Sequence, residues 1–220
     1  ADAEIANKTD VVLTSVAGNE KAIGYISLGA LNDTVKAVKV DGAEATVDNV
    51  KAGAYKLSRP FNIAAKGEPT GLAKDFINFI LSKEGQAVVT DNKYIAVNDA
   101  AESFVSDGSS GQIAVGGSSS VSPVMEKLIE AYKSVNPNAS IDLQTSDSTS
   151  GMTGAMDGTF AIGMASRELK DEEAAQLTGT AIALDGIAVI VNPANTIDEL
   201  SMDQIKSIYV GDITDWGDLA

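Results

Sequence analysis

Hydroxyl-bearing residues gather at three places in this chain, each directly after an apolar run. Ser118, Ser119 and Ser120 follow Ile113–Val115 and the pair Gly116-Gly117, Ser146 to Ser150 lie in TSDSTSG after SIDLQ, and Ser166-Arg167 follow FAIGM. After the first group, Met125, Leu128, Ile129 and Tyr132 recur at the spacing of one helix face. A strand, a glycine turn and a serine-rich helix start bring backbone N–H groups and hydroxyls to the positive end of a helix dipole, which suits an oxyanion. One such start more often only caps its helix. Three loops of the same chemistry favour the anion.

Composition narrows the alternatives. The chain holds no cysteine and no histidine, which excludes thiol nucleophiles, disulfides, Cys/His zinc sites and imidazole acid–base catalysis. A net charge of −15 argues against nucleic acid or an anionic membrane as partner. With 220 residues, 44% hydrophobic and 21% charged, the composition is that of a soluble globular protein with one good core or two small ones. An anion site would therefore act locally, through neutral donors and one or two cations, against the field of the whole chain.

The elements that must position these groups follow from periodicity. Residues 11–16 and 22–28 read as strands, as do 36–40, the FNIAA run at 61–65, and 94–97. Leu72, Phe76, Phe79 and Ile80 share a helix face with Thr70 as its N-cap, and a second short helix follows Ser82. Residues 98–112 are small, polar and rich in glycine and serine, as a linker would be. Ser120 or a neighbour caps the helix that holds Pro123 in its first turn. Strands follow at 140–144, 160–164 and 180–191, the last apolar enough to be buried on both faces, with helices between them and after 197. Strands alternating with helices predict an α/β fold with a largely parallel sheet and its ligand at the carboxyl ends of strands.

The runs GGSSSVSPVMEKLIEAY, DSTSGMTGAMDGTFAIGMASRELKDEE and IALDGIAVIVNPANTIDELSMDQIKSIYVGDITDW closely resemble the opening half of the phosphate-binding receptors that serve ABC-type phosphate importers. AGNEKAIGYISLGALNDTVKAVKVDG, SRPFNIAAKGEP, GLAKDFINFILSKEGQAVV and YIAV resemble the closing half of that family. The resemblance implies a type II periplasmic-binding-protein fold, two lobes with central mixed sheets joined by a two-strand hinge. Because the closing half comes first, it also implies a circular permutant. The implied lobes are 58–190, holding the linker 98–112, and 1–57 with 191–220. The family's Gly-Ser-Gly-Thr-Arg loop has no match here, so a segment ahead of Ala1 is expected to carry it, and the chain alone is expected to bind phosphate only weakly.

Carried over residue by residue, the resemblance makes Ser119 and Ser120 hydroxyl and N–H donors to phosphate at the first helix, and Ser148 matches the second-loop serine of the site. Ser166 falls where some members carry an aspartate that accepts the phosphate proton, Asp185 is the substitute acceptor, and Arg167 is a possible cationic donor. On general grounds Arg167 could equally form a surface pair with Glu168 or Asp171. The function implied is an extracytoplasmic solute-binding protein, secreted, lipid-anchored at the bacterial cell surface or periplasmic, that captures inorganic phosphate between its lobes and passes it to an ABC permease. It is expected to be a monomer and not an enzyme, with no cofactor, metal or nucleic acid. The alternatives are a receptor for sulfate or molybdate, and a phosphate-ester hydrolase, which would need a base or metal cluster that the serines lack.

Overall fold

The computed structural model describes residues 3–219, whose contacts divide the chain into two units, residues 1–58 with 186–220 and residues 59–185. The segment expected ahead of Ala1 lies outside the described residues. In the first unit, the run VVLTSV, expected as a strand from its β-branched residues, lies instead in the helix α1 (Thr9–Ala17). The reason is packing. Val12 and Val16 are spaced one helical turn apart and both close on Gly24, where an added Cβ would sit 2.9 Å from a methyl of each. Local propensity yields when a helix face finds such a partner. Gly24 belongs to β1 (Ile23–Ser27), which is followed by β2 (Lys36–Ala37), β3 (Lys39–Val40) and α2 (Val47–Lys51), whose N-cap Thr46 accepts from the Asn49 N–H at 3.2 Å.

The second unit begins within β4 (Ser58–Lys66) and continues through α3 (Gly71–Leu81), α4 (Lys83–Asp91) and β5 (Ile95–Ala96). Thr70 occupies the N-cap position of α3 without a side-chain cap, whereas Ser82 caps α4 through the Gly85 N–H. Then come β6 (Gly111–Ser118), α5 (Ser122–Val135), β7 (Ala139–Ser146), α6 (Ser148–Asp157), β8 (Ile162–Ala165), the one-turn α7 (Asp171–Ala174) and the first part of β9 (Leu177–Val191). The strand order is β4-β8-β6-β7. Strand β6 runs parallel to β7 and to β8, with Ser118 opposite Ser146 and Gly117 opposite Met164, while β4 is antiparallel to β8. The carboxyl ends of three parallel strands therefore reach one edge. Leu72, Phe76, Phe79 and Ile80 are buried on α3 as their spacing predicts, packed with Phe61, Met125, Leu128, Tyr132 and Ile162.

Residues 98–112, expected as a linker, are fastened to this core. The Phe104 ring meets Phe79 edge-on with centroids 5.2 Å apart, and its N–H donates to Glu84 Oε2 at 2.7 Å. Ser106 Oγ and the Asp107 N–H donate to the buried carboxylate of Asp75 at 2.8 and 2.9 Å, beside the Tyr132 hydroxyl at 2.6 Å. Polar composition alone does not separate a free linker from a strap whose donors satisfy a buried acceptor.

The remainder of β9 returns to the first unit, antiparallel to β1 and β2, with Tyr25 opposite Val189 and Ala37 opposite Ile190. Strand β10 (Glu199–Leu200) pairs in parallel with β3, and α8 (Met202–Val210) starts at Ser201, whose Oγ accepts from the Gln204 N–H while Gln204 Oε1 accepts from the Ser201 N–H. The chain passes between the units at Ser58–Arg59 and Asp185–Gly186. No helix among the described residues is long and apolar enough to cross a membrane.

Candidate functional site

The serine turn after β6 is shaped by two glycines. Gly117 has φ +136°, and a Cβ there would lie 2.3 Å from the Met164 carbonyl oxygen and 2.9 Å from Gly151 Cα. A Cβ on Gly151 would in turn lie 2.6 Å from that oxygen and 2.7 Å from Gly117 Cα. Glycine at both positions lets α6 lie directly on the backbone of β6 and β8, which sets its first turn beside the start of α5. Above this contact, Ser118 is the hub of the turn. Its Oγ accepts from the Ser120 N–H at 3.3 Å, and its carbonyl accepts from the Val121 N–H at 3.0 Å and from Ser122 Oγ at 3.2 Å.

The expected helix start, at Ser120 or a neighbour, falls on the neighbour but lacks a capping hydroxyl. Val121, not Ser120, holds the N-cap position of α5, and no side chain caps it. Valine has no oxygen to turn back on the first N–H groups, and Pro123, in the first turn as expected, has no N–H at all. The first turn of α5 thus keeps its positive end without an internal carboxylate, flanked by the half-buried Ser119 and Ser120. The Ser119 N–H donates to the Ser146 carbonyl at 3.0 Å, which joins this turn to the end of β7.

The start of α6 is different in charge. Asp147 is its N-cap, accepting from the Ser150 N–H at 3.0 Å and from Ser150 Oγ at 2.7 Å, and these bonds, the hydroxyl first, hold its carboxyl below the usual range. Ser148 faces the third loop, where its Oγ accepts from the Ser166 N–H at 3.1 Å and lies 3.5 Å from Ser166 Oγ. The structure therefore brings Ser148 and Ser166 into direct contact and ties Ser119 to the neighbouring strand end. A groove of about 430 Å³ runs along α6, lined by Ser146, Thr149, Ser150, Thr153, Asp157 and Phe160 among others. It shares Ser146, Thr149 and Ser150 with the second serine loop and contains none of Ser119, Ser120, Ser148, Ser166, Arg167 and Asp185.

Arg167 and Asp185 both have protein partners. Arg167 grips Glu173 through both terminal nitrogens, Nη1 to Oε2 at 2.7 Å and Nη2 to Oε1 at 2.8 Å. The pairing pushes the guanidinium up and holds the buried Glu173 carboxyl below its ordinary range. Of the two partners considered from sequence, Glu168 meets Arg167 only through its backbone carbonyl, at 2.9 Å. Asp185 lies in β9 with its side chain fully buried, and its Oδ2 accepts from Arg59 Nε at 3.1 Å.

A family model described as the PBP superfamily domain matches residues 2–84 and 103–220. The chain belongs to the PBP superfamily. Within it, the chain is 51% identical over 220 residues to phosphate-binding protein PstS 2 of Streptococcus agalactiae serotype V, covering 99% of this chain and 75% of that protein. It is 49% identical to phosphate-binding protein PstS 2 of Streptococcus pneumoniae serotype 4 over 97% of this chain and 74% of that one. Among solved structures it is similar to the phosphate-binding protein of a phosphate ABC transporter from Streptococcus pneumoniae TIGR4, at 48% identity and a TM-score of 0.78 over 99% of this chain and 85% of that chain. The α/β architecture with a mixed sheet is that of this superfamily.

Three residues beside the serine loops were not singled out from the sequence. Asp147 opens a D-S-T-S run, in which aspartate and serine are equally good N-cap residues, and the aspartate takes the position. Glu173 lies three residues after Lys170, the spacing at which a side chain returns to the N-cap amide, and it does accept from the Lys170 N–H at 2.8 Å. Asn62 gives no such signal. It reaches from β4 to donate to the Arg167 carbonyl at 2.9 Å, a pairing that only the sheet order creates.

Proposed function

We propose that this protein is an extracytoplasmic receptor that binds inorganic phosphate and delivers it to the membrane permease of an ABC importer. The observation that carries the proposal is the convergence of three serine loops at the carboxyl ends of the parallel strands β7, β6 and β8, one of them at a helix start without a side-chain cap. The names of the PstS 2 relatives and of the similar solved protein support the choice of anion. In this reading Ser119, Ser120, Ser148 and Ser166 supply hydroxyl donors, since the N–H groups of Ser119, Ser120 and Ser166 already donate within the protein. The protein acts by binding and not by catalysis, since a serine without a neighbouring base is a poor nucleophile and the chain has neither histidine nor cysteine.

The charge pattern favours phosphate over sulfate. Asp147, next to Ser148, holds its carboxyl ionised, and a carboxylate in such a loop opposes a fully ionised anion while accepting a hydrogen bond from one that keeps a proton. Titration calorimetry with phosphate tests the assignment. Wild type gives one saturable site, and Ser119→Ala and Ser148→Ala each weaken it by about tenfold or more, the worth of a charge-assisted hydrogen bond of roughly 1.5–3 kcal/mol. Absence of saturable binding, or unaltered binding in both variants, would overturn it.

A further inference from the structure

Arg167 has the charge of an anion ligand but little left to offer one. A guanidinium carries five N–H donors. Four of them point at protein acceptors: two at Glu173, one at the Glu168 carbonyl, and one at Thr149 Oγ1, the longest of the four at 3.4 Å. Glu173 is 2% exposed and also accepts from the Lys170 N–H, so withdrawing the guanidinium would strand a buried carboxylate. The backbone of Arg167 is held as well, by Asn62 Nδ2, itself 5% exposed. Thr149 stands in the first turn of α6 beside Ser148, whose Oγ accepts from the Ser166 N–H on the Arg167 loop.

We infer that Arg167 and Glu173 form a charge-neutral clamp across the turn from the loop after β8 into α7, which holds Arg167 Nη2 against Thr149 in the first turn of α6, with Glu173 as a positioning residue and Arg167 bound to protein instead of ligand. The fork-to-fork pairing is the geometry that only arginine gives, and it fixes both the distance and the plane of the two groups. With its charge cancelled by Glu173, Arg167 adds little field at the serines, which then meet the anion as neutral donors. The clamp rests on the phosphate reading only for its effect on affinity, because its mechanical effect needs no ligand.

The test compares wild type with Glu173→Gln and Arg167→Lys. Hydrogen exchange without any anion reads the amides of residues 148–152 against those of α3, and calorimetry reads phosphate affinity. The clamp predicts exchange about tenfold faster at the start of α6 in both variants, with α3 unchanged, as local opening without global unfolding requires. It also predicts weaker phosphate binding by Glu173→Gln, although that substitution removes a negative charge. Should Glu173→Gln fail to fold, Arg167→Lys, which keeps the charge and loses only the fork, decides alone. Unchanged exchange at residues 148–152, or tighter phosphate binding by Glu173→Gln as a freed Arg167 reaches the anion, would overturn the clamp. A wild type that binds no phosphate would overturn the function proposed above and leave the exchange comparison to judge the clamp.

Discussion

The Asp185 carboxylate is fully buried and accepts from Arg59, whose side chain is 18% exposed, so the two charges form a largely desolvated pair. Removing one partner of a buried pair typically costs about 3–5 kcal/mol, and we expect Asp185→Asn to fall near 3 kcal/mol because Arg59 retains some water. Urea unfolding measures this, and the same variant tests the acceptor role. A reduced preference for phosphate over sulfate supports that role, while lower stability with the preference intact assigns Asp185 to its ion pair. Acid should act through a different group of carboxylates. Burial pushes Asp75 up, but the Tyr132 hydroxyl, the Asp107 N–H, Ser106 and Asn136 together outweigh it and hold the carboxyl below its usual range. Glu173 is lowered chiefly by Arg167, and Asp147 by Ser150. A depressed folded pKa means stability that is present above the ordinary carboxylate range and lost as pH falls through the depressed values. The melting temperature should therefore hold near neutrality and drop below about pH 4, and a rise on acidification would contradict these assignments. At this scale the sequence names residues able to carry chemistry but not which of them are already satisfied. The Arg167–Glu173 fork closes across a turn, and Asp185 meets Arg59 across 126 residues of chain.

Element by element, legibility followed burial. The α3 face and the apolar β9 were readable because their periodicity records what they pack against. Helix α1 was not, since β-branched residues suit a strand until Val12 and Val16 find Gly24. The missing serine cap of α5 was not legible for a related reason: Ser118 uses its own oxygens to build the turn, which sets the N-cap at Val121 and the helix start at Ser122. The least legible feature is the contact of α6 with the sheet, because a glycine in sequence does not say what approaches it. Gly151→Ala tests that contact. Its Cβ would meet Met164 and Gly116 carbonyl oxygens and Gly117 Cα, all backbone and all within 2.9 Å, so the helix must move. We expect a loss of about 1–3 kcal/mol, as for overpacked sites, together with weaker phosphate binding as Ser148 is displaced. Thermal melts and phosphate titration of this variant measure both, and unchanged values would show that α6 does not need the glycine contact.

For the whole molecule, charge and chain path set the terms. At −15 the protein repels any anion at long range, so the association rate of phosphate should rise with added inert salt, opposite to a binder steered by a basic patch. Stopped-flow measurement at two ionic strengths checks the sign. The chain crosses between its units at residues 58–59 and 185–186, where the resemblance implies lobes bounded at 57–58 and 190–191, and no change in composition marks either point. The central claim is that the serine loops form a phosphate site built from neutral donors with a carboxylate beside them. The most direct measurement is calorimetric titration of the protein with phosphate and, at equal ionic strength, with sulfate. The account predicts one saturable site for phosphate that excess sulfate does not displace. Equal binding of the two anions, or saturable binding of sulfate alone, would contradict it.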